Sequence, residues 1–600
     1  MPSPHIHVGV DTGGTFTDFL IWDGERYFTR KVRSTPDDPA RTILEGLGDL
    51  ALYEVVHGST VATNALLERK GARAAFVTTE GFEDILLIGR QNRPELYNFL
   101  AAARTPLVPT DLTFGAPERI LHDGSVEREL TAADAEDLAR RIRDSGAESV
   151  AVCLLHSYAN PAHERLLGEK LDGLFVSLSH EILPEYREYE RASTTVVNAA
   201  VSPLMDRYLR RLDEKLAAGR LRVLQSNGGS ISARGAGHNA IHTVLSGPAG
   251  GVLGAAAVAR AAGFDKVISF DMGGTSTDVS LYDGGFTYTT ESQIGDFPVR
   301  VPMLDIHTVG AGGGSIAYLD AAGALRVGPR SAGARPGPVC YGEGDEITVT
   351  DANLLLSRLD PDKFLGGRMQ LDTDRARRHM ASFAESAGAS SDSLAKAIVQ
   401  VANSNMERAI RAISVERGHD PRDFALLAFG GAGPQHACEL AAQLEMKTVI
   451  VPKHAGVLSA LGMLAADCVR DFSQSILGRD PDEAFRELEA RAAREFAAEK
   501  LPEAHFERQI DLRYQGQSFE ITVPYADRDR FHDAHRKLYT YDHPDRAVEA
   551  VTARIRAVAP LAKIDLAAPS DAETFASVYI APGWTSREDT AGNLILSHTP

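Results

Sequence analysis

Val8–Gly24 reads VGVDTGGTFTDFLIWDG, and Ile268–Gly284 reads ISFDMGGTSTDVSLYDG. The two stretches align without a gap at an offset of 260 residues, and eight of their 17 positions are identical. In each copy a short apolar run ends in Asp (Asp11, Asp271). A Gly-Gly-Thr turn follows, then a second apolar run, then Asp-Gly. Two short apolar runs joined by a glycine turn predict a β-hairpin. The glycines tolerate φ > 0 and leave the turn bare, so backbone N–H groups can approach an anion. The threonines add donors, and Asp at the strand end offers a hard oxygen to a divalent cation. Two equivalent copies predict two similar lobes that grip a polyphosphate from both sides of a cleft.

The candidate nucleotide-binding residues are therefore Gly13, Gly14, Thr15 and Thr17 in the first copy, and Gly273, Gly274, Thr275 and Ser276 in the second. Asp11 and Asp271 are the candidate catalytic and metal-binding carboxylates. Asp18 and Asp278 are further catalytic candidates that would orient a nucleophile, the plain alternative being a hairpin-capping Asp. Three more glycine clusters extend the pattern. LSGPAGG (245–251) runs into helix-forming Val252–Ala262, VGAGGGSI (309–316) contains Gly312 and Gly313, and FGGAGP (429–434) contains Gly430 and Gly431. A glycine turn opening a helix presents free N–H groups to an anion, and a flat glycine surface suits an adenosine. Close helix–strand packing is the alternative for each cluster.

The order of phosphate hairpin, helices, second hairpin and adenosine glycines resembles the actin, Hsp70 and sugar-kinase ATPase superfamily. At finer grain the chain resembles the hydantoinase A/oxoprolinase family, which includes acetone and acetophenone carboxylase subunits. The stretches carrying the likeness include GVDTGGTFTD (9–18), HGSTVATNALLERKGAR (57–73), SGPAGGV (246–252), FDMGGTSTDV (270–279), SAGARPGPVCYG (331–342) and FGGAGPQHA (429–437), over roughly residues 5 to 480. The resemblance implies an α/β fold: two duplicated actin-like (RNase H-like) lobes with a nucleotide cleft between them, plus a smaller α+β C-terminal domain. It implies ATP and Mg²⁺ (Mn²⁺ as the alternative ion), used to phosphorylate a cyclic amide such as a hydantoin, oxoproline or lactam before ring opening. The alternatives are a ketone carboxylase subunit and a non-catalytic regulatory ATPase. It implies a hydantoinase B-type partner in a hetero-oligomer, or a homodimer. The sequence departs from the family at Lys453-His454-Ala455 and after about Lys563, where the C-terminal region looks shortened.

The expected partition is 1–190, 191–485 and 486–600. Residues 5–190 read as one mixed α/β lobe with helices at 132–143 and 161–171 and a buried strand at 149–155. Residues 193–217 and 393–417 carry helical spacing, and 508–524 alternates as a strand. Against 82 Asp and Glu, the chain has 63 Lys and Arg, a net charge of −19. Such a surface repels nucleic acid and anionic lipid. Four dispersed cysteines form no CxxC pair, and Met1–Gly14 shows no basic region followed by an apolar run, so a cytoplasmic compartment is expected.

The candidate substrate residues are Thr60, Thr63, Asn64, Arg90, Asn92 and Arg93, polar groups clustered after turns, with helix capping or a salt bridge as the alternatives. Glu188, Glu190 and Arg191, preceding a helix, are a further candidate substrate stretch, with a charged N-terminal helix turn as the alternative. A metal site from Asp305, His307 and distant His436, and a nucleophilic role for Cys340, are weaker readings that need partners the sequence does not supply.

Overall fold

The computed structural model describes Ile6 to His598 except residues 14–15, 36–37, 49, 51–52, 93–96, 98–104, 217–219, 365, 562 and 572–575. Gly14, Thr15 and Arg93 thus lie outside the described residues. Both repeated stretches form antiparallel hairpins, Ile6–Thr12 with Phe16–Trp22 and Lys266–Met272 with Thr277–Asp283. Each hairpin seeds a mixed sheet with the same layout. The first sheet runs Ser230–Ser232, Arg220–Leu224, Tyr53–Gly58, Ile6–Thr12, Phe16–Trp22, Tyr27–Arg33. The second runs Ile306–Val309, Thr277–Asp283, Lys266–Met272, Ala425–Phe429, Thr448–Val451, and is extended by Leu594–His598 and Trp584–Glu588. In both sheets the strand beyond the hairpin's first strand pairs parallel to it, which sets Asp11 opposite Gly58 and Asp271 opposite Phe429. The central strands are apolar on both faces, as sheets covered on both sides require. Val8, Val10, Val267, Ile268 and Phe270 have no exposed surface.

Ser246–Ala261 and Leu458–Ala465 are two helices that pack closely on each other between these sheets. Their contact depends on missing side chains: a Cβ on Gly462 would lie 1.8 Å from the carbonyl oxygen of Gly250. The first of these helices begins at Ser246, so the glycines of the LSGPAGG stretch lie inside it rather than in a turn before it. Pro248 is tolerated because the first turn of a helix needs no N–H donors from its own residues.

Residues 5–190 contain strands of two main sheets, not one. Residues 74–178 build a separate parallel sheet, ordered Phe175–Leu178, Ser149–Cys153, Ala74–Thr79, Thr113–Ala116, with its own apolar core. The expected helices appear at Ala132–Asp144, Ala162–Lys170, Glu188–Lys215 and Ser391–Ile413. Strand membership also crosses the expected boundary at 485. Cys468–Ser475 belongs to the C-terminal antiparallel sheet with Val548–Ala559, His505–Tyr514 and Ile521–Pro524, while 584–598 returns to the second hairpin's sheet. The region predicted as one strand over 508–524 is two strands joined by a turn. That return also accommodates the departure at Lys453: its backbone N–H donates to Asn593, and its side chain lies over Gly592.

Candidate functional site

The hairpin turns are nearly superimposable in their bonding. Gly13 N–H donates to Phe16 O at 3.0 Å, and Gly273 N–H to Ser276 O at 3.1 Å. The antiparallel register sets Asp11 directly across from Asp18 and Asp271 across from Asp278. Four carboxylates therefore gather at two strand ends. Burial, then Asp18, pushes Asp11 up to about 7 against the opposing pull of Lys31 and the Ser459 hydroxyl. Asp271 is pushed well above the usual carboxylate range, first by burial, then by Asp278, then by Asp11 and Asp18. Those last two belong to the other sheet, so the two hairpins lie within electrostatic reach of each other.

The neighbouring strands treat the two copies differently. Lys31 sits opposite Asp18 in register and its Nζ lies 2.6 Å from the carboxylate. The matching position opposite Asp278 is Thr308, whose hydroxyl donates to Asp278 at 2.5 Å. Among the described residues, Lys31 is the cation paired with these four carboxylates. A cluster so short of positive charge fits a divalent cation, and Asp11 and Asp271 are the residues that would hold it. Among the described residues no three His, Cys, Asp or Glu side chains converge as a metal cage. A cation here would take most of its ligands from water and phosphate oxygens, as Mg²⁺ does.

The remaining candidates divide. Gly274 and Gly431 border open space, while Gly273 is half-buried against the Ser276 carbonyl. Thr275 is exposed and Ser276 half-buried. Gly430 adopts φ +78°, and a Cβ there would meet the Asp271 carboxylate at 2.4 Å, so only glycine lets this loop close on Asp271. Gly312 and Gly313 are buried beneath the second turn, and Gly313 N–H donates to Gly273 O at 3.0 Å. They brace the hairpin from behind and do not present free N–H groups. Thr17 is also buried, with its hydroxyl on Ser34, which in turn donates to Gly13 O.

Thr60 donates to Thr12 O, and Thr63 accepts from Leu245 N, which places both beside the first hairpin and the 245–247 segment. Asn64 and Asn92 are exposed. Arg90 is bound by both carboxylate oxygens of Glu190 at 2.7 and 2.6 Å, the salt bridge weighed as its alternative. Arg191 is buried and donates to the carbonyls of Glu185 and Leu154. The weaker metal reading fails on partners: Asp305 pairs with Arg417, His307 is exposed, and both ring nitrogens of His436 bond to Asn403 and Asn353. Burial, then Asp351, pushes the Cys340 thiol far up, which removes it as a nucleophile. Lys31 and Ser459 were missed. Lys31 was within reach of the sequence, because a third strand paired to the hairpin must set some residue opposite Asp18. Ser459 comes from a distant helix and gave no signal.

The chain belongs to the hydantoinase/oxoprolinase family. Residues 191–472 match that family, and residues 7–174 match the hydantoinase/oxoprolinase N-terminal region. Among its relatives is caprolactamase subunit alpha of Pseudomonas jessenii, 37% identical over 94% of this chain and 88% of that one. The crystal structure of the ATP-dependent caprolactamase from the same organism superposes with a TM-score of 0.86 at 31% identity, covering 99% of this chain and 100% of the other. The chain is also 32% identical to 5-oxoprolinase of Saccharomyces cerevisiae, over 93% of its own length but 50% of the yeast enzyme. A third relative, the acetophenone carboxylase gamma subunit of Aromatoleum aromaticum, is 36% identical over 85% of this chain and 77% of that subunit.

Proposed function

We propose that this chain is the ATP-using subunit of a cyclic-amide hydrolase. The observation that carries the reading is the pair of equivalent hairpins whose carboxylates lie close enough for Asp11 and Asp18 to raise Asp271. An amide is a poor electrophile, and phosphorylation of its oxygen by ATP turns that oxygen into a leaving group so that water can open the ring. The open turn at Gly274 and Thr275, with Gly431 beside it, would offer backbone N–H groups to phosphate oxygens. Asp11 and Asp271 would hold Mg²⁺, with Mn²⁺ as the alternative, and the ion supplies charge neutralisation on the phosphates. Lys31 pairs with Asp18 beside the turn and opposes the rise that burial gives its carboxyl. Thr60 and Thr63 would lie near the substrate end of the first hairpin.

The extent of the match to caprolactamase subunit alpha favours amide hydrolysis over ketone carboxylation. Two relatives are named as subunits, and the yeast oxoprolinase is twice as long, so a hydantoinase B-type partner would complete the enzyme. No described helix is long and apolar enough to cross a membrane. The partition into two hairpin-bearing lobes and a C-terminal domain is part of the same proposal. The test is copurification of the native protein, identification of any companion chain, and a screen of lactams, hydantoins and ketones for stimulated ATP hydrolysis. Stimulation by a lactam or hydantoin with ring opening is expected. Absence of MgATP and MgADP binding by calorimetry would overturn the reading, and bicarbonate-dependent consumption of a ketone would move it to the carboxylase.

A further inference from the structure

Every backbone N–H and C=O from Ala311 to Gly314, the segment behind the second hairpin turn, has a hydrogen-bond partner. Ala311 N–H donates to Val309 O, and the Thr277 hydroxyl donates to Ala311 O. Gly312 gives its N–H to the Ser315 hydroxyl and takes the Ser315 N–H on its carbonyl. The N–H groups of Gly313 and Gly314 donate to Gly273 O at 3.0 Å and to Gly274 O at 2.7 Å. Gly314 O accepts from Ala332 N–H. The remaining acceptor, Gly313 O, takes both the N–H of Thr350, at 2.7 Å, and its hydroxyl, at 2.8 Å.

This brace decides which way the turn's donors face. The peptide bonds leading into Gly274 and Thr275 are trans, and a trans peptide holds its C=O and N–H antiparallel. With the Gly273 and Gly274 carbonyls held on the brace, the N–H groups of Gly274 and Thr275 point away from it. Both residues are exposed, and among the described residues neither N–H has a hydrogen-bond acceptor. A Cβ on Gly312 would lie 2.6 Å from Thr275 N and 2.7 Å from Gly274 O, so the brace rests directly on this peptide and only glycine permits it. Two successive N–H groups aimed outward form an anion-binding concavity. The side chain that locks the brace is Thr350. It is buried in the first turn of Val349–Leu355. The next residue, fully buried Asp351, ties down that helix start by accepting from the N–H groups of Thr348, Val339 and Cys340.

We propose that Thr350 is a positioning residue for nucleotide binding: it fixes the Gly313 carbonyl, and Gly313 and Gly314 in turn fix the direction of the N–H donors at Gly274 and Thr275. This rests on the ATP reading above and adds to it the residue that keeps its donors aimed. Thr350 touches no phosphate and acts only through the backbone it holds. A turn free to rotate its peptides would at times present carbonyl oxygens, which repel a phosphate. A turn held in the donor-out orientation before the ligand arrives loses less entropy on binding.

The experiment is calorimetric titration of the full chain, with any copurifying partner, by MgADP. Amide hydrogen exchange of the nucleotide-free chain, read over residues 309–316 by mass spectrometry, runs beside it. Thr350→Val keeps the side-chain shape and the backbone bond to Gly313 while removing the hydroxyl. It should weaken MgADP binding about fivefold, the effect of losing one hydrogen bond, and speed exchange over 309–316. Thr350→Ser restores a hydroxyl and should return affinity to within about twofold of wild type and exchange to the wild-type rate. Gly312→Ala is the second variant: it drives a methyl group against the peptide between Gly274 and Thr275 and should weaken MgADP about tenfold. Wild-type MgADP affinity in Thr350→Val, even at a lower melting temperature, would make Thr350 a structural residue only and overturn the proposal. A loss of affinity that Thr350→Ser fails to restore would overturn it as well. A wild type that binds no MgADP would instead strike the ATP reading, and exchange alone would then judge the brace. Faster exchange in Thr350→Val, reversed in Thr350→Ser, keeps Thr350 as its lock, and an unchanged rate rejects it.

Discussion

The two hairpins share sequence, register and turn bonding, but they do not share electrostatics. The third strand of the first sheet brings Lys31 to Asp18, whereas the third strand of the second sheet brings Thr308 to Asp278. The second turn is braced from behind by buried Gly312 and Gly313, and the first is tied by Ser34. A repeated motif has thus become one half that carries its own counter-charge and one half in which a threonine hydroxyl takes that place. The lesson is that duplication conserves the backbone cradle, while single substitutions on the adjacent strand set the charge.

The largest expected effect tests the uncompensated half. Asp271→Asn should lower ATP turnover about 100-fold, the order seen when charge stabilisation at a reacting phosphoryl group is removed. Asp11→Asn, already countered by Lys31 and Ser459, should lose nearer tenfold. Steady-state kinetics decide, and equal losses would erase the asymmetry. Next comes backbone closure. Gly430→Ala forces a Cβ against the Asp271 carboxylate at a positive φ and should destabilise the fold by about 1–3 kcal/mol. Gly431→Ala faces open space and should stay within about 0.5 kcal/mol. Urea unfolding of both variants measures the contrast.

A charge swap sharpens the comparison. Thr308→Lys would give the second hairpin the counter-ion of the first, and the Mg²⁺ concentration needed for half-maximal ATP binding should rise about 3–10-fold, because an added ammonium competes with the divalent ion. Lys31→Met should shift it the opposite way. The smallest effect concerns acid. Glu520 is held down to about 2, against the burial that would raise it, by hydrogen bonds from Arg187, Arg300 and Tyr186. Glu185 is likewise held down, mainly by Arg554 and Arg300, against burial. Groups depressed in the folded state stabilise fully above their ordinary range, near 4.5 for Glu, and lose that contribution as pH falls toward the folded value. The melting temperature should therefore drop as pH is lowered from about 5 to 3, and Glu520→Gln should flatten part of that fall. The hairpin carboxylates, whose shifts run upward, contribute nothing to this acid loss.

Much of the site was legible because hairpins are local. Asp11, Asp18, Asp271 and Asp278 were found from one repeated pattern of apolar run, glycine turn and apolar run, and their cross-strand pairing follows from the turn length. The glycine clusters were found but half misread: a run of glycines signals close approach of something to the backbone, without saying whether that is a phosphate or another strand. At Gly312 and Gly313 it is the second hairpin's own turn, and at Gly250 it is the helix around Gly462.

The sequence by itself determined the net acidic charge, which is a sum over the chain, and the duplicated strand-turn-strand units and the positions of the long helices, because these rest on spacing within a few residues. Tertiary structure alone decided that residues 74–178 stand as a separate sheet, that Lys31 but not Thr308 carries a countering charge, and that Thr350 holds the glycines behind the second turn. Those outcomes depend on which distant side chains meet, and a Coulomb interaction or a missing Cβ acts only across the final distance in space.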